Sequence, residues 1–146
     1  MPTNPPENTP RITPYLYYED VETALAWLAA AFGFREAMRL PGPDGKPVHA
    51  EMRLADGLIM MGRPGPQYRN PMHVGAVTQG LMVYVADVDA HFARAKAAGA
   101  RILTPPADQF YGDRRYAAED PEGHRWYFAQ HVRDVSEAEM KAHTQG

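Results

Sequence analysis

Six histidines, eight tyrosines and no cysteine bound the chemistry open to this chain of 146 residues. Without a thiol there is no disulfide framework, no zinc knuckle and no thiol nucleophile. The densest reactive arrangement is His49-Ala50-Glu51-Met52-Arg53-Leu54. Its strict alternation predicts a strand with Ala50, Met52 and Leu54 against a covering helix and His49, Glu51 and Arg53 on the other side. An imidazole beside a carboxylate on one strand face is the makings of a general base, Glu51 taking the proton and His49 orienting or tuning it. The same pair offers two donors to a divalent ion, with His131 a conceivable third, but such an ion needs several N or O ligands converging on one point. Two are too few, so no metal site is expected. His73, His91, His124 and His143 read as surface or turn residues. The stretch Thr104 to Arg114 is the other informative region. It holds Pro105, Pro106 and Gly112 with a polar set that includes Asp108, Gln109, Tyr111, Asp113 and Arg114, and it reads as a loop longer than a connection needs, of the kind that carries recognition. Arg114 either forks onto a ligand carboxylate or phosphate or braces the loop through its neighbours.

The elements that must position these residues come in a repeated order. Ile12 to Tyr18 is β-branched and aromatic. Asp20 then stands as the N-cap of a helix from Val21 to about Phe32 that Gly33 ends, its stripe being Leu25, Leu28 and Phe32. Three strands follow at Phe34 to Leu40, Val48 to Leu54 and Leu58 to Met61, with turns at 41 to 45 and at Asp56-Gly57. The order returns with Leu81 to Val85, the cap Asp87, a helix Val88 to Ala98, Gly99, and strands near Arg101 to Leu103, Tyr116 to Ala118 and His124 to His131. Asp20 and Asp87 lie 67 residues apart, and Gly33 to Gly99 and Gly57 to Gly123 are both 66. Two βαβββ modules in tandem, an α+β arrangement, explain that spacing, and such a duplication can build a cleft walled by both halves. The expected organisation is a disordered arm over 1–10 and one domain over 11–132, made of module 1 at about 11–62, a linker at 63–79 and module 2 at about 80–132. A tail at 133–146 completes the chain, with a short helix signalled by Ser136 and Glu139 in capping-box register.

Paired modules in a chain of this length resemble the vicinal oxygen chelate superfamily, which contains glyoxalase I, bleomycin-resistance proteins and extradiol dioxygenases. The likeness covers about Arg11 to Val132. A narrower likeness is to the PhnB-type branch, carried in order by Ile12-Thr13-Pro14-Tyr15-Leu16, Leu40 to Gly45, His49-Ala50-Glu51-Met52, Asp108 to Arg114, Asp120-Pro121-Glu122-Gly123-His124 and His131 to Ser136. The resemblance implies a curved mixed sheet with a cleft and, in the metal-using members, four His or Glu ligands. The matching positions here are about Thr13, Met60, Gly80 and Tyr127, and a shift of one residue still finds no imidazole or carboxylate. The family's metal is therefore not expected, nor any other cofactor. If these positions keep the inward direction of the ligands they replace, period two adds Tyr15, Tyr17, Met82, Tyr84, Arg125 and Ala129 to Met60 and Tyr127 on the cleft face. Tyrosine rings stack and their hydroxyls orient, which suits an aromatic or conjugated small molecule, with methionine as adaptable filler. The alternative is that several of these rings lie in a dimer interface or a filled core.

Composition narrows the partners. The chain is 45% hydrophobic and 23% charged, with mean hydropathy −0.48 and fifteen basic against eighteen acidic residues. That is an ordinary globular balance, with no basic face for nucleic acid and no apolar run long enough for a membrane span. A cytoplasmic protein that pairs with itself and binds a small molecule is expected. Three functions compete: a metal-independent binding protein with Tyr15, Tyr17, Met60, Met82, Tyr84, Gln109, Tyr111, Arg114 and Tyr127 as its ligand contacts; an isomerase- or lyase-type enzyme with Glu51 and His49 as catalytic residues; and a metal-dependent glyoxalase or dioxygenase. The missing ligands count against the third, and the first, which needs only the pocket, is the reading adopted.

Overall fold

The computed structural model describes residues 1–146, and the chain divides into two compact units, 1–76 and 77–146. In the first unit the order is β1 (Tyr15–Tyr17), α1 (Val21–Phe32), β2 (Arg35–Pro41), β3 (Pro47–Leu54), β4 (Gly57–Gly62) and a one-turn helix α2 (Pro71–Val74). The second holds β5 (Gly80–Tyr84), α3 (Val88–Ala97), β6 (Arg101–Asp108), β7 (Asp113–Glu119), β8 (Arg125–His131) and α4 (Glu137–Gln145). Each unit is a four-stranded mixed sheet, ordered β1-β4-β3-β2 and β5-β8-β7-β6, in which the first strand runs parallel to the last and the other pairs are antiparallel. This is the α+β architecture of two tandem βαβββ modules. No helix is long and apolar enough to cross a membrane.

The helices start and stop where their caps dictate. Asp20 accepts from the Thr23 amide at 3.0 Å and Asp87 from the Ala90 amide at 3.0 Å, each satisfying a donor that the first turn leaves over. Gly33 closes α1 in the left-handed region at φ 80°. The apolar stripe of α1 then meets one face of the first sheet: Leu28, Ala31 and Phe32 are fully buried, as are Ala50, Met52 and Met61 on β3 and β4. In the second unit Val88 and Ala95 are buried with Tyr116, Ala118, Trp126 and Phe128. His91 is half-buried against this core. Its Nδ1 lies 2.6 Å from the Tyr116 hydroxyl and its ring 4.2 Å from Phe128, because position 91 falls between Val88 and Ala95 on the inward face of α3. Burial raises the Tyr116 phenol pKa.

Two segments differ from the expectation. Thr104 to Arg114 is no long loop: β6 continues to Asp108 and β7 begins at Asp113, leaving a tight turn closed by the Gln109 amide on the Asp113 carbonyl at 2.7 Å and the Gly112 amide on the Gln109 carbonyl at 3.1 Å. Pro105 and Pro106 are accommodated because β6 is the edge of its sheet and its register with β7 slips between Thr104 and Ala107, so no ladder bond is asked of them. The connecting segment 63–79 also contains α2, capped by the Asn70 side chain, which accepts from the His73 amide at 2.9 Å, and ended by Gly75 at φ 81°. In the tail, Ser136 accepts from the Glu139 amide at 3.2 Å, as its register with Glu139 predicts, and His143 stacks on Phe110 with ring centroids 4.0 Å apart.

Candidate functional site

Alternation along β1 sends Leu16 inward at 4% exposure and turns Tyr15 and Tyr17 outward at 47% and 50%. The cross-strand register then decides their neighbours: Tyr15 stands beside Met60 and Tyr17 beside Gly62, while Met60 pairs with Glu51 and Gly62 with His49. One sheet face, the one turned away from α1, thus gathers Tyr15, Tyr17, Met60, His49 and Glu51. Gly62 is what lets them touch. A Cβ there would lie 2.7 Å from the Tyr15 hydroxyl oxygen, so the missing side chain leaves the ring room to lie across β4. The Tyr15 hydroxyl reaches His49 Nδ1 at 2.8 Å, and His49 Nε2 reaches Glu51 Oε2 at 3.2 Å. A neutral imidazole satisfies both contacts in one tautomer, Nδ1 accepting from the phenol and Nε2 donating to the carboxylate. Partial burial, then Tyr17 and Glu51 nearby, raises the Tyr15 pKa, so the phenol holds its proton. In that tautomer the phenol spends its one proton on His49 Nδ1, which leaves its oxygen as an acceptor and the Glu51 carboxylate as the candidate base. Tyr68, which the pattern did not single out, packs edge-on to Tyr17 at 5.8 Å and donates to the Tyr17 carbonyl at 2.9 Å.

The second unit presents a different face. Met82 and Tyr84 of β5 are turned outward at 44% and 57% exposure, beside Tyr127 and Ala129 of β8. The Tyr127 ring covers Gly80, where a Cβ would come within 2.7 Å of it. The Arg115 guanidinium sits 4.9 Å from the Tyr127 ring centre and 5.9 Å from that of Tyr111. Tyr84 donates to Asp113 Oδ2 at 2.7 Å, and the other oxygen of that buried carboxylate is 2.8 Å from His131 Nδ1. His131 Nε2 is 2.7 Å from Asp134. With a carboxylate on each ring nitrogen, the imidazolium is favoured and the His131 pKa is raised, Asp113 first and Asp134 second. The hydrogen bond to Asp113 likewise raises that of Tyr84.

Two of the expected contacts point elsewhere. The Gln109 amide donates back to the Ala107 carbonyl at 3.1 Å, within its own turn. Arg114 has the parity of the buried Tyr116 and faces α3, where it pairs with Asp89 at 3.1 Å and Asp108 at 3.2 Å. Of the two roles open to it, bracing is the one its contacts support. Arg115, one residue on, faces the tyrosines instead. The parity of Tyr116 could have found it, but only once β7 was known to run through Asp113. As to metal, neither Thr13, Met60, Gly80 and Tyr127 nor the neighbours Tyr15 and Met82 carries an imidazole or carboxylate. His49 and Glu51 are two donors alone, both nitrogens of His131 are engaged by Asp113 and Asp134, and no three such groups converge. The donor set does not fit the ion that metal-using proteins of this fold hold.

Comparison with known proteins agrees with this architecture. The model of the glyoxalase/bleomycin resistance protein/dioxygenase superfamily matches residues 10–128. Uncharacterised proteins of Mycobacterium bovis and Mycobacterium tuberculosis are 37% identical over 138 residues, which is 91% of this chain and 91% and 81% of theirs. Among solved structures, TioX from Micromonospora sp. ML1 is 36% identical, with a TM-score of 0.69 over 85% of this chain and 100% of that one. The genomically encoded fosfomycin resistance protein FosX from Listeria monocytogenes shares the fold, at 17% identity and a TM-score of 0.60, over 90% of this chain and 97% of that one.

Proposed function

The chain belongs to the glyoxalase/bleomycin resistance protein/dioxygenase superfamily, and from that premise we propose that it is a metal-independent binding protein for an aromatic or conjugated small molecule. A shared fold hosts many chemistries, so the side chains must carry the argument. The observation that carries it is a set of outward-facing aromatic rings whose hydroxyls are tied down, Tyr15 by His49 at 2.8 Å and Tyr84 by Asp113 at 2.7 Å. Exposed rings cost hydration, and fixing them lowers the ordering penalty when a flat ligand stacks on them. Within the superfamily we assign the chain to the PhnB-type branch on its six matching strings. A second reading is an isomerase- or lyase-type enzyme, favoured by the Tyr15–His49–Glu51 chain, in which Glu51 is the base and His49 orients it.

The test is a thermal-shift screen of fused-ring compounds on protein purified without added metal and assayed for bound elements. At least one compound should raise the melting temperature, and Tyr15→Ala or Tyr84→Ala should weaken its binding several-fold while the fold persists. A screen without a hit, or about one removable metal ion per chain, would overturn the proposal. Glu51→Gln separates the two readings, since it keeps the shape: a binder retains its affinity, whereas an enzyme using this base loses turnover by ~10²-fold or more. We further propose that the protein works as a cytoplasmic homodimer, the unpaired backbone donors along an edge strand such as β1 being covered by the second copy. Light scattering should report twice the chain mass, and monomer alone at micromolar concentration would refute it.

A further inference from the structure

We propose that the face of the second unit carrying Tyr127 is an anion-recognition face, on which Arg115 and Arg125 take the carboxylate of an aromatic ligand stacked against the tyrosines. The inference rests on the aromatic-binding reading above and adds the ligand's charge. Arg115 and Arg125 both lie on the side of the sheet away from α3, because Tyr116 and Trp126 between and beside them are fully buried on the other side. Neither makes an ion pair. The cross-strand partner of Arg125 is Glu119, but that carboxylate lies 3.7 Å from Arg101, and Asp113 is committed to Tyr84 and His131. The contacts of the Arg115 guanidinium are the Tyr127 and Tyr111 rings, which hold its plane without using its N–H donors. Arg125 is half-buried, and its Nε is buried with no acceptor at all. A guanidinium short of acceptors in a partly dry place carries a cost that a carboxylate would repay.

A cation at each of these two register positions is also peculiar to this module. The matching register position to Arg115 in the first unit is His49, opposite Gly62 as Arg115 is opposite Ala129, and the match to Arg125 is Leu58, opposite Arg53 as Arg125 is opposite Glu119. Where the first unit has a proton-holding chain and an apolar side chain, the second has two unpaired forks around a tyrosine. A planar carboxylate on a flat ring system fits both features at once, since the ring meets Tyr127 and Met82 while the two oxygens meet guanidinium donors.

Isothermal titration of the full chain with 2-naphthoate and with 2-naphthamide, equal in shape but not in charge, tests this. The carboxylate should bind at least about ten-fold tighter, a preference that shrinks as NaCl rises from about 0.05 to about 0.5 M. Arg115→Gln and Arg125→Gln should each lower naphthoate affinity several-fold more than naphthamide affinity, so that the preference for the carboxylate shrinks. Should Arg125→Gln fail to fold, Arg115→Gln decides alone. Equal affinities for the two probes, or a preference that survives Arg115→Gln, would overturn the inference while leaving the aromatic-binding reading in place, provided Tyr84→Ala weakens both probes. Binding of neither probe would overturn the anion site, and a failed fused-ring screen would overturn the wider reading with it.

Discussion

Replacing Asp120 with alanine is expected to lower stability by about 3 to 5 kcal/mol. Asp120 is 2% exposed and organises the turn that leads into β8. Its Oδ1 accepts from the amides of Glu122 at 3.0 Å and His124 at 3.1 Å, and its Oδ2 accepts from the indole N–H of Trp126 at 3.1 Å. Trp126 is fully buried and stacks parallel to Phe128, so the indole has no water to turn to. Alanine would strand three donors together, each formerly bonded to a charged acceptor, and such losses are not independent, which keeps the total below the sum of three separate bonds. Asp120→Asn keeps one side-chain oxygen as acceptor and should cost markedly less. Urea unfolding followed by circular dichroism measures both. A loss under about 1 kcal/mol for the alanine variant would mean that the turn and the indole are held by something other than this carboxylate.

The second large effect is expected at Gly112, where alanine should cost about 2 to 4 kcal/mol. The residue sits at φ 100°, a region that side chains avoid, and an added Cβ would fall inside the Arg133 carbonyl oxygen. Backbone cannot swing aside as a side-chain tip does. The Gly112 carbonyl also accepts from the amides of Val132 at 2.8 Å and Arg133 at 3.1 Å, which fastens the β6–β7 turn to the chain leaving β8. Pushing the two apart therefore releases these bonds along with the strain. Hydrogen exchange should show the Val132 and Arg133 amides exposed in Gly112→Ala, with a lower melting temperature. Unchanged protection at those amides would refute the argument.

How far the chain could be read before its structure depended on the range of each interaction. The duplicated order of elements, the caps Asp20, Asp87 and Ser136, and the alternation that puts His49 with Glu51 and Tyr15 with Tyr17 are properties of neighbours in the chain, because helix and strand periodicities repeat within a few residues. What lies across a strand is not such a property. That Tyr15 bonds His49 depends on parallel pairing of β1 with β4 and on the absence of a side chain at Gly62. That Arg115 and not Arg114 joins the tyrosines depends on β7 starting at Asp113, which in turn requires an edge strand able to hold Pro105 and Pro106. A one-residue change of register exchanges the two faces of a strand, and register is set by pairing with distant segments. The local sequence determined which residues could do chemistry; the sheet pairing decided which of them meet.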